Sequence, residues 1–346
     1  MAQLELQDVS FTYPGAERPV INKLSLTINT GEAHALLGAS GAGKTTLLNL
    51  LSGLLAPTSG RIRFDDRDVS MLRGRARKVA QIFQFPVLYE SLRVYDNIAF
   101  PLRQLKLSAA DIRQRVAYIA EELEIEPLLQ QRPVQLSLFE KQLVAVAKAL
   151  VRPDISVVLL DEPLTAVEPR IKWRLRQALR RVKRDLGVTM VYVTHDQTEA
   201  LTFAEQVSVL TQDGILQTDS PEDIYQSPQH QFVGHFIGSP GMNFVPAHVL
   251  DGLYDLQNTA ADTIGFRPEW IQPDPMGAIS GEVQHVKAEG ARAGVRFGLT
   301  RILVGEYSLL VRGPLEKMVG ERFSFGLSRA IQFAAGHQVG VYEPTV

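Results

Sequence analysis

The sequence has 346 residues, of which 45% are hydrophobic and 21% are charged, and its formal net charge is -2 at pH 7. This composition is typical of a folded chain of two or three domains, and the charge provides no overall basic field for nucleic acid or anionic lipid. Cysteine is absent, which excludes disulfides and cysteine-based metal sites.

The apolar segments are too short to cross a membrane. The first six residues lack a basic region followed by a long apolar core, so we expect no secretion signal. Apolar runs such as 157–160 are far shorter than the roughly 20 residues that a membrane-spanning helix needs. Any membrane role is therefore expected to depend on a partner.

Short apolar segments alternate with helical patterns along the first 237 residues. The predicted strands cover 3–9, 24–28, 33–37, 79–83, 157–160 and 189–193. The predicted helices cover 44–55, 108–124, 137–151 and 169–186. Buried strands that alternate with helices predict an α/β domain with a largely parallel sheet.

The pattern changes at residue 238, where a turn-rich segment, 238–241, interrupts the chain. Glycine-punctuated β segments follow at 281–287, 291–298, 301–304, 307–312 and 322–327. We therefore predict two domains, 1–237 and 238–346, the second a small all-β domain resembling an oligonucleotide-binding-type barrel. Whether it has a regulatory role or is an extension without a ligand stays open at this stage.

A glycine-rich segment follows the strand at 33–37 and precedes a helix. It reads G-A-S-G-A-G-K-T over 38–45 and matches G-x-x-x-x-G-K-[ST] in the context that this phosphate-binding motif requires. Its backbone N–H groups and the helix N-terminus attract phosphate, Lys44 is expected to reach the β- and γ-phosphates, and Thr45 is expected to bind Mg²⁺. The predicted nucleotide-binding residues are Tyr13, Gly38, Ser40, Gly41, Ala42, Gly43, Lys44, Thr45 and Thr46.

The apolar run at 157–160 ends in two carboxylates, Asp161 and Glu162. A strand that ends in Asp-Glu is weak evidence of a site by itself, since such residues often only cap or solvate a strand end. Downstream of a phosphate loop, however, the pair predicts a hydrolase. We expect Asp161 to hold Mg²⁺ and Glu162 to act as the general base toward water.

These motifs and their surroundings resemble the ATP-binding cassettes of bacterial solute importers over essentially the whole chain. The resemblance implies a P-loop NTPase fold of the ABC type, ATP and Mg²⁺ as ligands, and ATP hydrolysis coupled to import. It implies that Tyr13 stacks on adenine, that Gln84 senses Mg²⁺ and the attacking water, and that His195 contacts the γ-phosphate. For Tyr13 and His195, an ordinary structural role is the alternative.

The resemblance is closest to one group of importers. A carboxyl-terminal β domain is typical of the maltose-type group, which transports sugars and polyols, and the segments 83–90, 94–102, 189–205 and 236–243 look most like glycerol-importer ATPases. The resemblance implies two transmembrane permease subunits, an indirect link to a substrate-binding protein, and a peripheral position on the cytoplasmic face of the inner membrane. It implies no nucleic acid partner.

Two segments depart from the family pattern. The family has a Leu-Ser-Gly-Gly-Gln signature that faces the ATP of the other subunit. This chain keeps Leu136 and Ser137 and has Leu138, Phe139 and Glu140 in place of Gly-Gly-Gln. Glu168 stands where the family has aspartate. Bulk and negative charge are unfavourable beside a polyphosphate. We therefore expect an asymmetric dimer in which a second, different ABC ATPase subunit supplies an intact signature.

Further surfaces are open to alternative interpretations. Phe85, Val87, Leu88 and Tyr89 form either a docking patch for a helix of the membrane subunits or plain core. The arginine-rich helix at 169–186 indicates a solvated face rather than a nucleic-acid site, because aromatic residues do not interleave with its charges. The alternative functions are a nucleotide-binding scaffold within the transporter and a soluble cassette ATPase that acts on nucleic acid.

Overall fold

The computed structural model describes residues 2–164, 169–250, 260–292, 295–314 and 317–343. The chain divides into two compact units, Met1–Pro221 and Glu222–Val346. The sequence placed the boundary later, between residues 237 and 238. The division falls earlier because segment 222–237 is bonded to the β-rich part of the second unit, as described below.

The first unit is an α/β domain, which confirms the predicted fold class. Its strands are β1 (Leu4–Phe11), β2 (Ile21–Ile28), β3 (Ala33–Leu37), β4 (Ser59–Phe64), β5 (Arg67–Asp68), β6 (Val79–Ile82), β7 (Val157–Asp161), β8 (Thr189–Thr194), β9 (Gln206–Thr211) and β10 (Gly214–Asp219). Its helices are α1 (Lys44–Ser52), α2 (Gly74–Arg77), α3 (Val94–Gln104), α4 (Ala109–Glu122), α5 (Leu138–Leu150), α6 (Pro169–Leu186) and α7 (Gln197–Phe203).

A largely parallel sheet runs through the first unit in the order β10-β9-β3-β8-β7-β6. Strands β9, β3, β8, β7 and β6 are parallel, and β10 is an antiparallel edge. A separate antiparallel sheet has the order β2-β1-β4-β5. Strands β3, β7 and β8 are buried along their whole length, as continuous apolar runs in a sheet covered on both faces require.

Two apolar clusters hold these layers together. One lies between the parallel sheet and helices α3 to α6, and the other lies between the same sheet, α1 and the antiparallel sheet. Helix α6 has an apolar stripe that belongs to the first cluster, because Leu175, Leu179 and Val182 are fully buried and Leu186 packs against this cluster. These residues recur at helical spacing, so they lie on one face of α6.

The second unit begins with short helices and continues as β structure. Its helices are α8 (Pro221–Gln226), which starts at the boundary, and α9 (Gln231–Phe236). Its strands are β11 (Asn243–Pro246), β12 (Thr263–Phe266), β13 (Ile271–Pro273), β14 (Ile279–Arg292), β15 (Val295–Val304), β16 (Tyr307–Pro314), β17 (Arg322–Leu327), β18 (Ala330–Ala334) and β19 (His337–Tyr342).

These strands form two antiparallel sheets, β11-β12-β18-β19 and β13-β17-β14-β15-β16, around one apolar cluster. The prediction of an all-β, barrel-like second domain is confirmed. Two strand bounds differ from the prediction, because 291–298 and 301–304 are not separate strands. Residues 295–304 form one continuous strand, paired with β14 on one side and β16 on the other.

Arg267 is a fully buried cation at the centre of the second unit. Its guanidinium donates to the carbonyls of Tyr225 (2.8 Å), Gly234 (3.1 Å) and Ile237, and it lies 4.1 Å from the centre of the Tyr225 ring. Burial lowers the pKa of Arg267 to about 10, still far above neutrality. The charged side chain therefore ties α8 and α9 to the β structure.

None of the helices in the described ranges is long and apolar enough to span a membrane.

We predict that Arg267→Met destabilises the second unit by about 3–5 kcal/mol, since it leaves three buried carbonyls without their donor. Urea unfolding would be followed by Trp270 fluorescence in a Trp173→Phe background, because these are the two tryptophans of the chain. Arg322→Met, at an exposed arginine of the same unit, is the control and should change the stability by less than about 0.5 kcal/mol. Equal urea midpoints for the two variants would contradict the anchoring role of Arg267.

Candidate nucleotide site

The predicted site residues follow the carboxyl ends of neighbouring parallel strands. The glycine-rich loop follows β3, Gln84 lies two residues after β6, Asp161 ends β7, and His195 follows β8. Because β3, β8, β7 and β6 are adjacent in this order, their ends meet at one edge of the sheet. The crevice outside the carboxyl ends of parallel strands is where open α/β sheets bind ligands.

The glycine-rich loop closes tightly around the start of α1. Gly41 and Gly43 have φ values of 83° and 88°, in the left-handed region that favours glycine. A Cβ atom at Gly38 would lie 2.3 Å from the carbonyl oxygen of Leu210, so a side chain cannot fit there. The predicted loop residues therefore form a backbone cradle at the N-terminus of a helix, a geometry suited to phosphate.

Lys44 is folded into this cradle and is largely buried. Its Nζ donates to the carbonyl oxygens of Gly38 and Ala39, each at 2.8 Å. Burial lowers the pKa of Lys44, although Glu162 and Asp161 nearby favour its charged form. An anionic ligand would give this ammonium group a better partner than two carbonyl groups.

Thr45 and Asp161 form a pair of oxygen ligands beside the loop. The Thr45 hydroxyl donates to the Asp161 carboxylate over 3.4 Å. Burial and the charge of Glu162 raise the pKa of Asp161, while Thr45 and Lys44 lower it in part. Two convergent hard oxygen ligands with excess negative charge fit Mg²⁺, which prefers such donors together with phosphate and water.

Glu162 and His195 face each other across the mouth of the site. His195 Nδ1 lies 3.0 Å from Glu162 Oε1, and the Glu162 side chain is one-fifth exposed. Glu162 adopts φ 45°, an uncommon conformation for a residue with a side chain, which β8 supports through the bond from Glu162 N–H to the Val193 carbonyl. The Glu162 carboxylate is therefore partly open to solvent and lies next to the phosphate cradle.

A buried carboxylate holds the turn that carries His195. Glu199 accepts hydrogen bonds from the Tyr192 and Thr194 hydroxyls at 2.9 and 3.0 Å and from Lys172 at 2.7 Å. Sequence reasoning missed this support and assigned Lys172 to a solvated face. The available signal was Asp196 three residues before Glu199, the spacing of a helix cap, where Asp196 accepts the Glu199 N–H.

A cavity of about 510 Å³ joins these parts. Its lining residues are Val20, Ser40, Gly41, Gly43, Lys44, Thr45, Thr46, Gln84, Glu162 and His195. Ala42 is buried beneath the loop. Tyr13 lies beside the cavity rather than in its lining, with its hydroxyl 3.1 Å from the Thr46 hydroxyl and its ring 40% exposed. Val20 carries no motif, and no signal in the sequence could have identified it.

The signature segment does not line this cavity. Ser137 is the exposed N-cap of α5, and Leu138 is exposed beside it, whereas Phe139 packs against the core. Part of the Phe139 side chain is therefore buried, and the rest lines a surface cavity together with Ser137 and Glu140. Glu168 lies outside the described residues.

The predicted docking patch is divided by the structure. Leu88 packs against the core, while Phe85, Val87 and Tyr89 are exposed by 65%, 61% and 43%. Val87 and Tyr89 line a groove of about 410 Å³ together with α3 and α5. The core interpretation therefore applies to Leu88, whereas the exposed residues Phe85, Val87 and Tyr89 remain candidates for a docking surface.

The basic helix α6 is ion-paired along part of its face. Arg174 and Arg181 both bond to Glu124, at 3.0 and 3.2 Å, and Lys183 bonds to Glu205. Several basic residues of α6 therefore have an acidic partner within the chain, so their presence does not require a nucleic acid ligand.

Comparisons with known proteins identify the family of this chain. Residues 21–165 match the family model described as ABC transporter. The chain is 40% identical over 282 residues to the sn-glycerol-3-phosphate import ATP-binding protein UgpC of Psychromonas ingrahamii, covering 78% of this chain and 75% of the relative. It is 36% identical to UgpC of Rhizobium meliloti, covering 97% and 96%. It is also 40% identical to the trehalose/maltose import ATP-binding protein MalK of Thermococcus litoralis, covering 74% and 70%.

A solved structure shares the fold of the first unit. It is described as a dimeric structure of a post-hydrolysis state of the ATP-binding cassette MJ0796 bound to ADP and Pi. The TM-score is 0.57 at 28% identity, and the match covers 63% of this chain and 98% of that chain.

The expectation of a second, different ATPase subunit is wrong. The relatives that match most of this chain are of the UgpC and MalK type, each named as the import ATP-binding protein, and they give no support to a different ATPase partner. The premise was the altered signature, but one of its bulky replacements, Phe139, is partly buried against the core.

We predict that Asp161→Asn stabilises the ligand-free protein. The raised pKa of Asp161 means that ionisation is less favourable in the folded than in the unfolded chain, so its charge costs stability above the folded pKa and this cost disappears as pH falls. Removal of the charge should add on the order of 1 kcal/mol, or about 2–4 °C in Tm, at pH 7.

The same variant should lose the rise in Tm that we expect Mg²⁺ and ATP to give to the wild-type protein, because the candidate metal ligand Asp161 is changed. Calorimetry at pH 5 and pH 8, with and without Mg²⁺ and ATP, measures both effects. Asp154→Asn, near the other end of β7, is the matched control. An Asp161→Asn variant that is less stable than wild type at pH 8 would contradict the assignment.

Proposed function

The chain belongs to the ABC transporter family of import ATP-binding proteins and is an ATPase, and we propose that it drives the import of glycerol or a related polyol or sugar. In this proposal it lies at the cytoplasmic face of the membrane beneath two permease subunits, which receive solute from a substrate-binding protein. The observation that supports it best is the Glu162–His195 pair at 3.0 Å beside a complete phosphate cradle.

The residues at the sheet edge divide the work of hydrolysis. The cradle amides and Lys44 hold the β- and γ-phosphates, and Glu162 accepts a proton from the water that attacks the γ-phosphorus. His195 orients that water and the γ-phosphate, while Glu199 keeps the His195 turn in place. Thr45, Asp161 and Gln84 would hold Mg²⁺, which supplies charge neutralisation for the phosphates. Tyr13 would stack on adenine.

We propose that two copies of this chain pair head to tail. Ser137 is exposed at the N-terminus of α5, a helix of 13 residues, where it can face an anion on a second copy. The ATP-binding cassette MJ0796, which shares the fold of the first unit, is described as dimeric with ADP and Pi bound. In this arrangement both ATP sites use the altered signature of residues 136–140.

The groove beside Tyr89 is the proposed docking site for a permease helix. Tyr89 packs on Phe100 with ring centres 4.8 Å apart, and Lys148 lies 4.2 Å over the Tyr89 ring. The groove is therefore an aromatic-walled surface with two basic residues, Lys148 and Arg152, of which Arg152 is paired with Asp154. Such a surface suits the apolar face and acidic end of a short helix. It starts next to Gln84, so movement there can be transmitted to the ATP site.

We predict that Glu162→Gln lowers the ATPase rate of the assembled transporter at least about 100-fold while ATP binding persists, because only the proton acceptor is lost. Glu126→Gln, at an exposed glutamate, is the control and should be silent. An unchanged rate would support the scaffold alternative instead.

In the presence of ATP, the Glu162→Gln chain should sediment as a dimer; a monomer would contradict the proposed pairing of two copies.

The solute is tested by uptake in the source organism after deletion of this chain. We predict that uptake of labelled glycerol falls at least about tenfold and is restored by the wild-type chain but not by Glu162→Gln, because transport depends on hydrolysis. Loss of only sn-glycerol-3-phosphate or maltose uptake would reject glycerol and keep the motor function. Normal uptake of all three would contradict the proposed solute class.

A further inference from the structure

We propose that Glu140 slows the turnover of this ATPase by holding the Ser137 hydroxyl and by placing a negative charge where the γ-phosphate of a second copy must approach. The inference rests on the proposed pairing of two copies. It goes beyond the expectation drawn from the sequence, which named bulk and negative charge together, because it assigns the effect to the contact between Glu140 and Ser137.

Ser137 and Glu140 form a closed capping box at the start of α5. The Ser137 hydroxyl donates to Glu140 Oε2 at 2.8 Å, and the Ser137 N–H donates to the same oxygen at 2.7 Å. The Glu140 N–H donates back to the Ser137 hydroxyl oxygen at 3.3 Å. Both donors of Ser137 that an incoming phosphate could use are thus bound to one carboxylate.

The charge of Glu140 also acts on the helix end. The N-terminus of a helix carries a positive partial charge that attracts anions, and a carboxylate in the first turn satisfies that attraction within the chain. Hydrogen bonds to carboxylate and to phosphate are both charge-assisted, so a phosphate gains no advantage as an acceptor and must displace Glu140 from Ser137 to bind there. A neutral amide at 140 would remove the charge and could keep the capping geometry, because glutamine also closes this box.

Steric bulk explains less than charge does. Phe139 is partly buried against the core, and the side chain that is exposed beside Ser137 is the uncharged Leu138. The group with both the charge and the direct contact to Ser137 is Glu140. The test therefore changes Glu140 and leaves the apolar residues in place.

The experiment compares wild type and Glu140→Gln in the reconstituted transporter. We expect kcat/KM for ATP to rise about 3- to 10-fold, since charge repulsion and a charge-assisted hydrogen bond are both removed. The difference in kcat/KM between wild type and Glu140→Gln should decrease as the salt concentration is raised from about 0.05 to 0.5 M, because salt screens an exposed charge. In a Glu162→Gln background, Glu140→Gln should lower the ATP concentration needed for dimer formation by a similar factor.

The chain offers a matched control on α4. Ser108 caps that helix, and its hydroxyl donates to Asp111 at 2.6 Å in a similar arrangement. Asp111→Asn removes an equivalent charge from an equivalent cap away from the nucleotide cavity, and it should leave the ATPase rate unchanged. Ser137→Ala in the Glu140→Gln background should abolish the gain.

Each outcome separates this inference from the proposed function. If wild type hydrolyses ATP and dimerises with it, but Glu140→Gln has the same kcat/KM and dimer midpoint, the role of Glu140 is rejected and the motor stands. If Asp111→Asn raises kcat/KM as much as Glu140→Gln does, the increase is a general effect of removing a negative charge. The specific role of Glu140 is then rejected as well. If neither chain hydrolyses ATP nor dimerises with it, the proposed function itself fails.

Discussion

The site depends on the register of four parallel strands. Asp161 on β7 pairs with Val193 on β8, and Leu37 on β3 pairs with Thr194. This alignment brings the phosphate loop, the metal ligands and His195 to the same level of the sheet edge. A slip by one residue would turn every side chain of a strand to the opposite face. Continuous burial of β3, β7 and β8 on both faces makes such a slip costly, so the core fixes the active-site geometry.

The site itself carries electrostatic and conformational cost. Burial and the neighbouring Glu162 raise the pKa of Asp161, burial lowers the pKa of Lys44, and Glu162 adopts a positive φ. The charges of Asp161 and Lys44 are unfavourable without a ligand, and a cation and a polyphosphate would bring compensating charges to them. Groups with perturbed pKa values cluster at functional sites for this reason. The surrounding apolar layers offset the cost in the ligand-free chain.

Charged residues outside the cavity have a structural role that reaches the chemistry. Lys172 on α6 bonds to buried Glu199, and Glu199 holds the turn that presents His195. Glu140 lies in the first turn of α5, where it closes the capping box with the N-cap residue Ser137. In the proposal above, this contact also limits the access of phosphate to Ser137. In both places a hydrogen bond needed for local structure constrains a group needed for function. In the second unit, the hydrogen bonds from Arg267 to backbone carbonyls have a structural role only.

The sequence by itself determined the fold class, the phosphate loop, the carboxylates after β7 and the bounds of α6, because these depend on local patterns: strand and helix periodicity, glycine spacing and motif context. It did not determine the boundary between the units, the support of His195 by Glu199, the partial burial of Phe139 or the hydrogen bonds between Ser137 and Glu140. These features depend on which residues distant in sequence come into contact and on which rotamer a cap adopts. Burial and hydrogen-bond geometry are properties of the packed chain, so only the tertiary structure decided them.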